Sequence, residues 1–172
     1  MSMLLDLTKV SNIYITTRII NTDDPININV TGPDLVKRKC AFSAARSTVM
    51  LGSLESQVIT YDKLMANKGK SFDRNTGIFT AQTPGIYYFS FNVRSYDGKH
   101  IGITLMKNEE TTTAIATDAG DRKVAQSQSI MLQLEVGDRV WLQLGPHKEY
   151  AIYSNSFNYV TFNGFLIYAN FR

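Results

Sequence analysis

One cysteine, Cys40, stands alone in the 172 residues, so no disulfide framework can form within the chain. It reads as a small apolar residue near the start of a strand, or as a half-bridge awaiting another chain. Histidine is as scarce. His100 and His147 lie in separate polar segments with no ligand spacing between them. No glycine loop followed by Lys-Ser or Lys-Thr is there to cradle a phosphate. With neither an activated thiol nor a positioned base or metal set, an enzyme is not expected.

Other absences narrow the class further. No apolar run approaches the roughly 20 residues of a membrane-crossing helix, so no membrane insertion is expected. The first residues, MSMLLDLTKVSN, lack the basic start and full apolar run of a secretory signal. No Gly-X-Y repeat marks a collagen stalk, and no sustained heptad marks a coiled coil. The net charge is only +3 with the basic residues scattered, unlike the concentrated positive field of a nucleic-acid binder. Hydrophobic residues at 44% and charged residues at 19% describe a folded chain, and its length suits one domain with a real core.

What is present is alternation. In Phe72 to Phe91, FDRNTGIFTAQTPGIYYFSF, turn residues bracket a short apolar piece. The chain then runs with Tyr87, Phe89, Phe91 and Val93 on one side and Tyr88, Ser90, Asn92 and Arg94 on the other. Period two in an aromatic-rich run predicts a strand with one buried face. So much ring area needs a second sheet, or another subunit, to cover it.

The same pattern recurs downstream. Asp97-Gly98 is a tight-hairpin signal, followed by Ile101, Ile103 and Leu105 at alternate positions. Residues 108–121 are polar and threonine-rich, which predicts a weak strand between exposed loops. Ile130, Leu132 and Leu134 alternate, turn at Glu135-Val136-Gly137-Asp138, and return as Val140, Leu142 and Leu144. Trp141 falls on the opposite face, placed to cover a sheet edge or a second subunit. Residues 49–56 and 145–159 read as loops, Asn67-Lys68-Gly69 as a turn, and Phe162 to Tyr168 as a closing strand. Val58, Ile59 and Tyr61 start a further strand. No helix is predicted, and short strands with glycine and asparagine turns argue for a β-sandwich.

Residues 1–39 read as a separate extension. SNIYITTRII and PININV could each form a strand, with Lys37-Arg38-Lys39 as a basic joint before a domain over 40–172. Asn29 opens an Asn-Val-Thr sequon, a glycosylation site if the chain passes through a secretory pathway.

Several of these segments together resemble the C1q-like domain of the C1q and tumour necrosis factor superfamily. The resemblance rests on Asn67, Phe72, Phe79, Gly85, Tyr87, Phe89 and Phe91 at the family's spacing. Further segments are similar: CAFSAARS at the start, IGITLMKN, LEVGDRVWLQL, and TFNGFLIYA at the end. The one departure is Tyr61, where the family has Phe. The resemblance covers residues 40 to 169.

It implies a ten-strand jelly-roll β-sandwich that assembles as a homotrimer and is secreted. The implied role is recognition: innate-immune binding of microbial or glycan surfaces, or organisation of one extracellular protein receptor. No cofactor is required, although several relatives resemble one another in binding calcium near a trimer apex. Asp118 and Asp121 in TDAGDRK are the corresponding oxygen donors here, with Gln126 and Gln128 nearby. The position where calcium-rich relatives carry an acid is Val124. Ligand-contact candidates are loop residues, Arg122 and Lys123 in one loop and Lys148, Tyr150 and Tyr153 in another.

Overall fold

The aromatic run forms its strand as the alternation predicts. In the computed structural model, which describes residues 39–118, 120 and 122–170, Gly85–Arg94 is a ten-residue strand. Tyr87, Phe89, Phe91 and Val93 are buried on its inner face. Thirteen strands are described and no helix: β1 (Ala41–Arg46), β2 (Met50–Leu51), β3 (Gln57–Val58), β4 (Lys63–Lys68), β5 (Phe72–Asp73), β6 (Ile78–Thr80), β7 (Gly85–Arg94), β8 (Ile101–Lys107), β9 (Glu110–Thr117), β10 (Ala125–Leu134), β11 (Arg139–Leu144), β12 (Ala151–Ile152) and β13 (Val160–Ala169). By compactness the chain divides into Met1–Arg38 and Lys39–Arg172. The description that follows concerns the second unit. The strands expected before residue 38, and the sequon at Asn29, lie outside the described residues.

Two antiparallel sheets make the sandwich. One has the order β10-β7-β13-β1-β4; the other runs β5-β6-β11-β8-β9, with β3 added beside β11. This is the expected jelly-roll sandwich. The strand count exceeds ten because β2, β3, β5 and β12 are two-residue pieces. β2 and β12 pair with each other inside the segments read as loops, at Ile152↔Met50 and Ala151↔Leu51.

A lattice of rings fills the space between the sheets. Phe42 stacks on Phe72 at 4.3 Å and meets Phe162 edge-on at 5.0 Å. Phe79 meets Phe89 at 5.3 Å, also edge-on. Stacked and edge-to-face pairs of this kind each contribute about 0.5–1.5 kcal/mol beyond their buried area. Gly164 lets the lattice close: a Cβ there would lie 2.6 Å from the Phe42 ring and 2.7 Å from that of Phe89.

Asn67 lies in the last two residues of β4 and opens the expected turn, its carbonyl accepting from the Lys70 N–H at 3.4 Å. Its amide donates to the Phe72 carbonyl at 2.8 Å and its oxygen accepts from the Phe72 N–H. The turn itself is Gly69 and Lys70, both at positive φ. Trp141 lies on the outer face as predicted, and is buried there with the Arg139 guanidinium 5.5 Å from its ring.

The outer face of the five-stranded sheet changes character along its length. One cross-strand row is apolar: Met131 and Phe165 both pair with Tyr88, and the Tyr88 and Phe165 rings lie 5.3 Å apart. The next rows are polar, Ser129–Ser90–Asn163 and then Ser127–Asn92–Thr161. The last residue of β7 is Arg94. The apolar end is also where β1 begins and β13 ends, since Ala41 pairs with Phe165 and Ala169 with Gly85.

Candidate functional site

The opposite end of the sandwich gathers the loops. Arg46 pairs with Val160, Arg94 with Ala125, and Ile101 with Thr117. The segments beyond those residues therefore emerge together. The two candidate loops, far apart in sequence, are both latched to the β7–β8 connection, residues 95–100. Ser95 exchanges bonds with the first: its N–H donates to the Val124 carbonyl at 2.8 Å, and its Oγ accepts from the Val124 N–H at 3.0 Å. Lys123 faces Asp97 at 3.4 Å, and His100 Nδ1 lies 3.2 Å from Asp118. Toward the second loop, Lys99 pairs with Glu149 at 3.0 Å, while the His100 N–H donates to the Glu149 carbonyl at 2.9 Å. Lys99 holds the Glu149 carboxyl below the ordinary range.

The predicted loop residues fall at this end. Arg122 is exposed and its carbonyl accepts from Ser95 Oγ at 3.3 Å. Lys148 is exposed and offers its carbonyl to Lys99. Tyr150 is half-buried over a glycine floor. A Cβ on Gly102 would lie 2.5 Å from its ring, and one on Gly145 would lie 2.9 Å away. One face of that ring is thus spent on packing.

Asp118 is 80% exposed at its side chain and accepts from the Gly120 N–H at 3.2 Å. Asp121 lies outside the described residues. Gln126 and Gln128 pair with Val93 and Phe91, which puts them on the core-side face of β10. Among the described residues no three His, Cys, Asp or Glu side chains gather to hold a metal. Calcium prefers six or more oxygens, so Asp118 suits it only as one chain's share of a site built between chains.

Tyr153 sits in a cluster the sequence did not announce. Its ring lies 6.3 Å from that of Tyr96 and 6.0 Å from that of Tyr159, and Tyr159 is 6.2 Å from Phe157. The Arg94 guanidinium lies over two of them, 5.0 Å from the Tyr153 ring centre and 4.4 Å from that of Tyr159. Three aromatics within Tyr153 to Tyr159 were a signal for a ring cluster. Nothing in the spacing tied them to Arg94, almost sixty residues earlier.

A two-sheet jelly roll with its loops latched at one end is the architecture of a C1q-type domain. The sequence model of the C1q domain matches residues 41–167, and the chain belongs to that family. It is 37% identical over 129 residues to mouse complement C1q tumor necrosis factor-related protein 1, covering 74% of this chain and 46% of that protein. It is 39% identical over 136 residues to zebrafish Caprin-2, covering 78% of this chain but 15% of the relative. The chain thus spans half or less of these curated relatives. Among solved structures, the globular domain of zebrafish complement 1qA superimposes with a TM-score of 0.64 at 26% identity, over 77% of this chain and all of that one. Murine APRIL shares the fold at a TM-score of 0.59 and 11% identity, over 75% of this chain and 99% of APRIL.

Proposed function

We propose that this domain is a secreted homotrimeric recognition module that binds patterned extracellular ligands, such as glycan surfaces, through its latched loop end. The observation that carries the reading is the division of labour along the five-stranded sheet. An apolar row, with Met131 64% and Phe165 45% exposed, is suited to self-association, while the loops gather at the far end. Three copies would multiply weak loop contacts into avidity wherever the target repeats. Secretion and the immune setting rest on the C1q-related relatives.

Asp118 is assigned as the calcium-facing residue of a site shared between chains. Light scattering coupled to size exclusion should give a mass near three times 19.3 kDa. Loss of the trimer on chelation supports the shared calcium site; a trimer indifferent to chelation removes it. A monomer under both conditions overturns the avidity mechanism. A glycan array separates recognition from the second reading, a ligand for one protein receptor. Silence across the array, with tight binding to a single receptor ectodomain, favours the second.

A further inference from the structure

Among the described residues, Arg94 is the one guanidinium that lies over two rings with no hydrogen bond or ion pair of its own. Contact with the two rings restrains it and leaves its fork of N–H donors without a protein acceptor. Nearby acids are otherwise engaged. Asp97 faces Lys123 at 3.4 Å, and Asp62 accepts from the N–H and hydroxyl of Ser47. The other local cation, Lys63, donates to Asn158 Oδ1 at 2.9 Å.

Beyond Tyr159, its ring 6.2 Å from that of the tyrosine, stands Phe157, 76% exposed. Its turn is built to hold it there. The Phe157 N–H donates to Asn155 Oδ1 at 2.9 Å, and the Asn158 N–H to the Asn155 carbonyl at 2.9 Å. Asn158 takes the left-handed conformation at φ 59, and Lys63 holds its side chain. Asn155 also donates to the Tyr153 hydroxyl at 3.1 Å, fixing the ring that flanks Arg94. A large ring pushed into water by a turn with this many internal bonds gains nothing for the isolated fold.

We propose that Arg94, Phe157, Tyr153 and Tyr159 form a site for a carboxylated sugar. The Arg94 fork takes the carboxylate in two parallel hydrogen bonds, and the exposed ring faces take the apolar C–H face of the pyranose. An uncharged apolar peptide would leave the guanidinium unused, and a bare anion would leave Phe157 unused. Arg94 lies six residues along β7 from Tyr88, about 20 Å at a strand's rise per residue. The site is therefore well separated from the apolar row assigned to self-association.

This site deepens the glycan-recognition reading and rests on it. The test titrates the intact protein with sialyllactose and trigalacturonate, using lactose as the neutral control and hexaglutamate as an acidic peptide, and follows binding by calorimetry. Acidic sugars should bind and lactose should not. R94K, which keeps the charge but loses the planar fork, should weaken binding at least tenfold. F157A should weaken it severalfold, and because the ring is exposed this variant keeps the fold should R94K lose it. No binding of either acidic sugar, equal binding by F157A, or preference for hexaglutamate each overturns the site. Array binding that survives both substitutions overturns this site while leaving glycan recognition by the domain standing.

Discussion

At Tyr61 the core holds a hydroxyl that it does not use. The side chain is buried and its oxygen finds no hydrogen-bond partner among the described residues. Burial also holds its phenol well above the ordinary ionisation range. An orphaned buried hydroxyl forfeits its bonds to water without replacement. Y61F removes the oxygen and leaves the ring contacts with Phe72 and Phe162 in place. It should stabilise the domain by about 1 kcal/mol, read as a higher denaturant midpoint at unchanged slope. A lower midpoint would show that the hydroxyl has a partner after all. Arg94 is the contrasting residue: it too departs from its surroundings, but at the surface, where an unused donor remains open to a ligand.

Among the elements, the β10–β11 turn does more than reverse the chain. Gly137 takes φ 93, and Asp138 reaches across to the β8–β9 turn. Its carboxylate accepts from Asn108 Nδ2 at 2.8 Å and from the Glu135 N–H at 3.0 Å, with Lys107 at 3.2 Å. The Asn108 bond, assisted by Glu135 and Lys107, lowers the Asp138 pKa below 3.8. A carboxyl depressed in the folded state stabilises it above the unfolded value and loses that contribution as pH falls through the folded one. D138N should therefore be less stable than the parent at pH 7, by about 1–2 kcal/mol. The gap should shrink as pH falls from 3.8 through the depressed folded value. Urea midpoints along an acid pH series check it, and a gap independent of pH would assign the loss to geometry instead.

The same turn shows what sequence could and could not reveal. Gly137 announced the reversal, because few other residues tolerate that φ. Period-two spacing likewise identified the buried faces of β7 and β11, since a strand's side chains obey a local rule. The two-residue strands β2 and β12 escaped, for they exist only by pairing with each other across a hundred residues. The loop end escaped for the same reason in larger form. Arg122, Lys123, Lys148 and Tyr153 were found as loop residues, whereas Ser95 and Lys99, which tie those loops together, had no pattern of their own. Arg94 read as the tail of an alternation until the fold laid it over Tyr153 and Tyr159.

For the whole molecule, the outer row of Met131, Tyr88 and Phe165 is the feature with most at stake. Its apolar area contributes little to one chain alone and much to an assembly. F165D places a charge in the row at a half-exposed position, so the monomer should fold with nearly its parental melting temperature. The solution mass should drop from that of a trimer to that of a single chain. An unchanged mass would move the interface to another face of the sandwich.

The strand ends give the domain a head and a foot. β1 enters and β13 leaves beside the apolar row, fastened there by the Leu166 N–H to the Cys40 carbonyl at 3.0 Å and the Asn170 N–H to the Pro84 carbonyl at 2.8 Å. Both ends of the described domain, at residues 39 and 170, thus lie at the foot. A bead or fluorescent reporter joined directly after β13 leaves Arg94 at the far end of the sandwich from its attachment. Three such domains joined at the row would gather their strand ends on one side and their heads on the other, in the manner of a bouquet held by its stems.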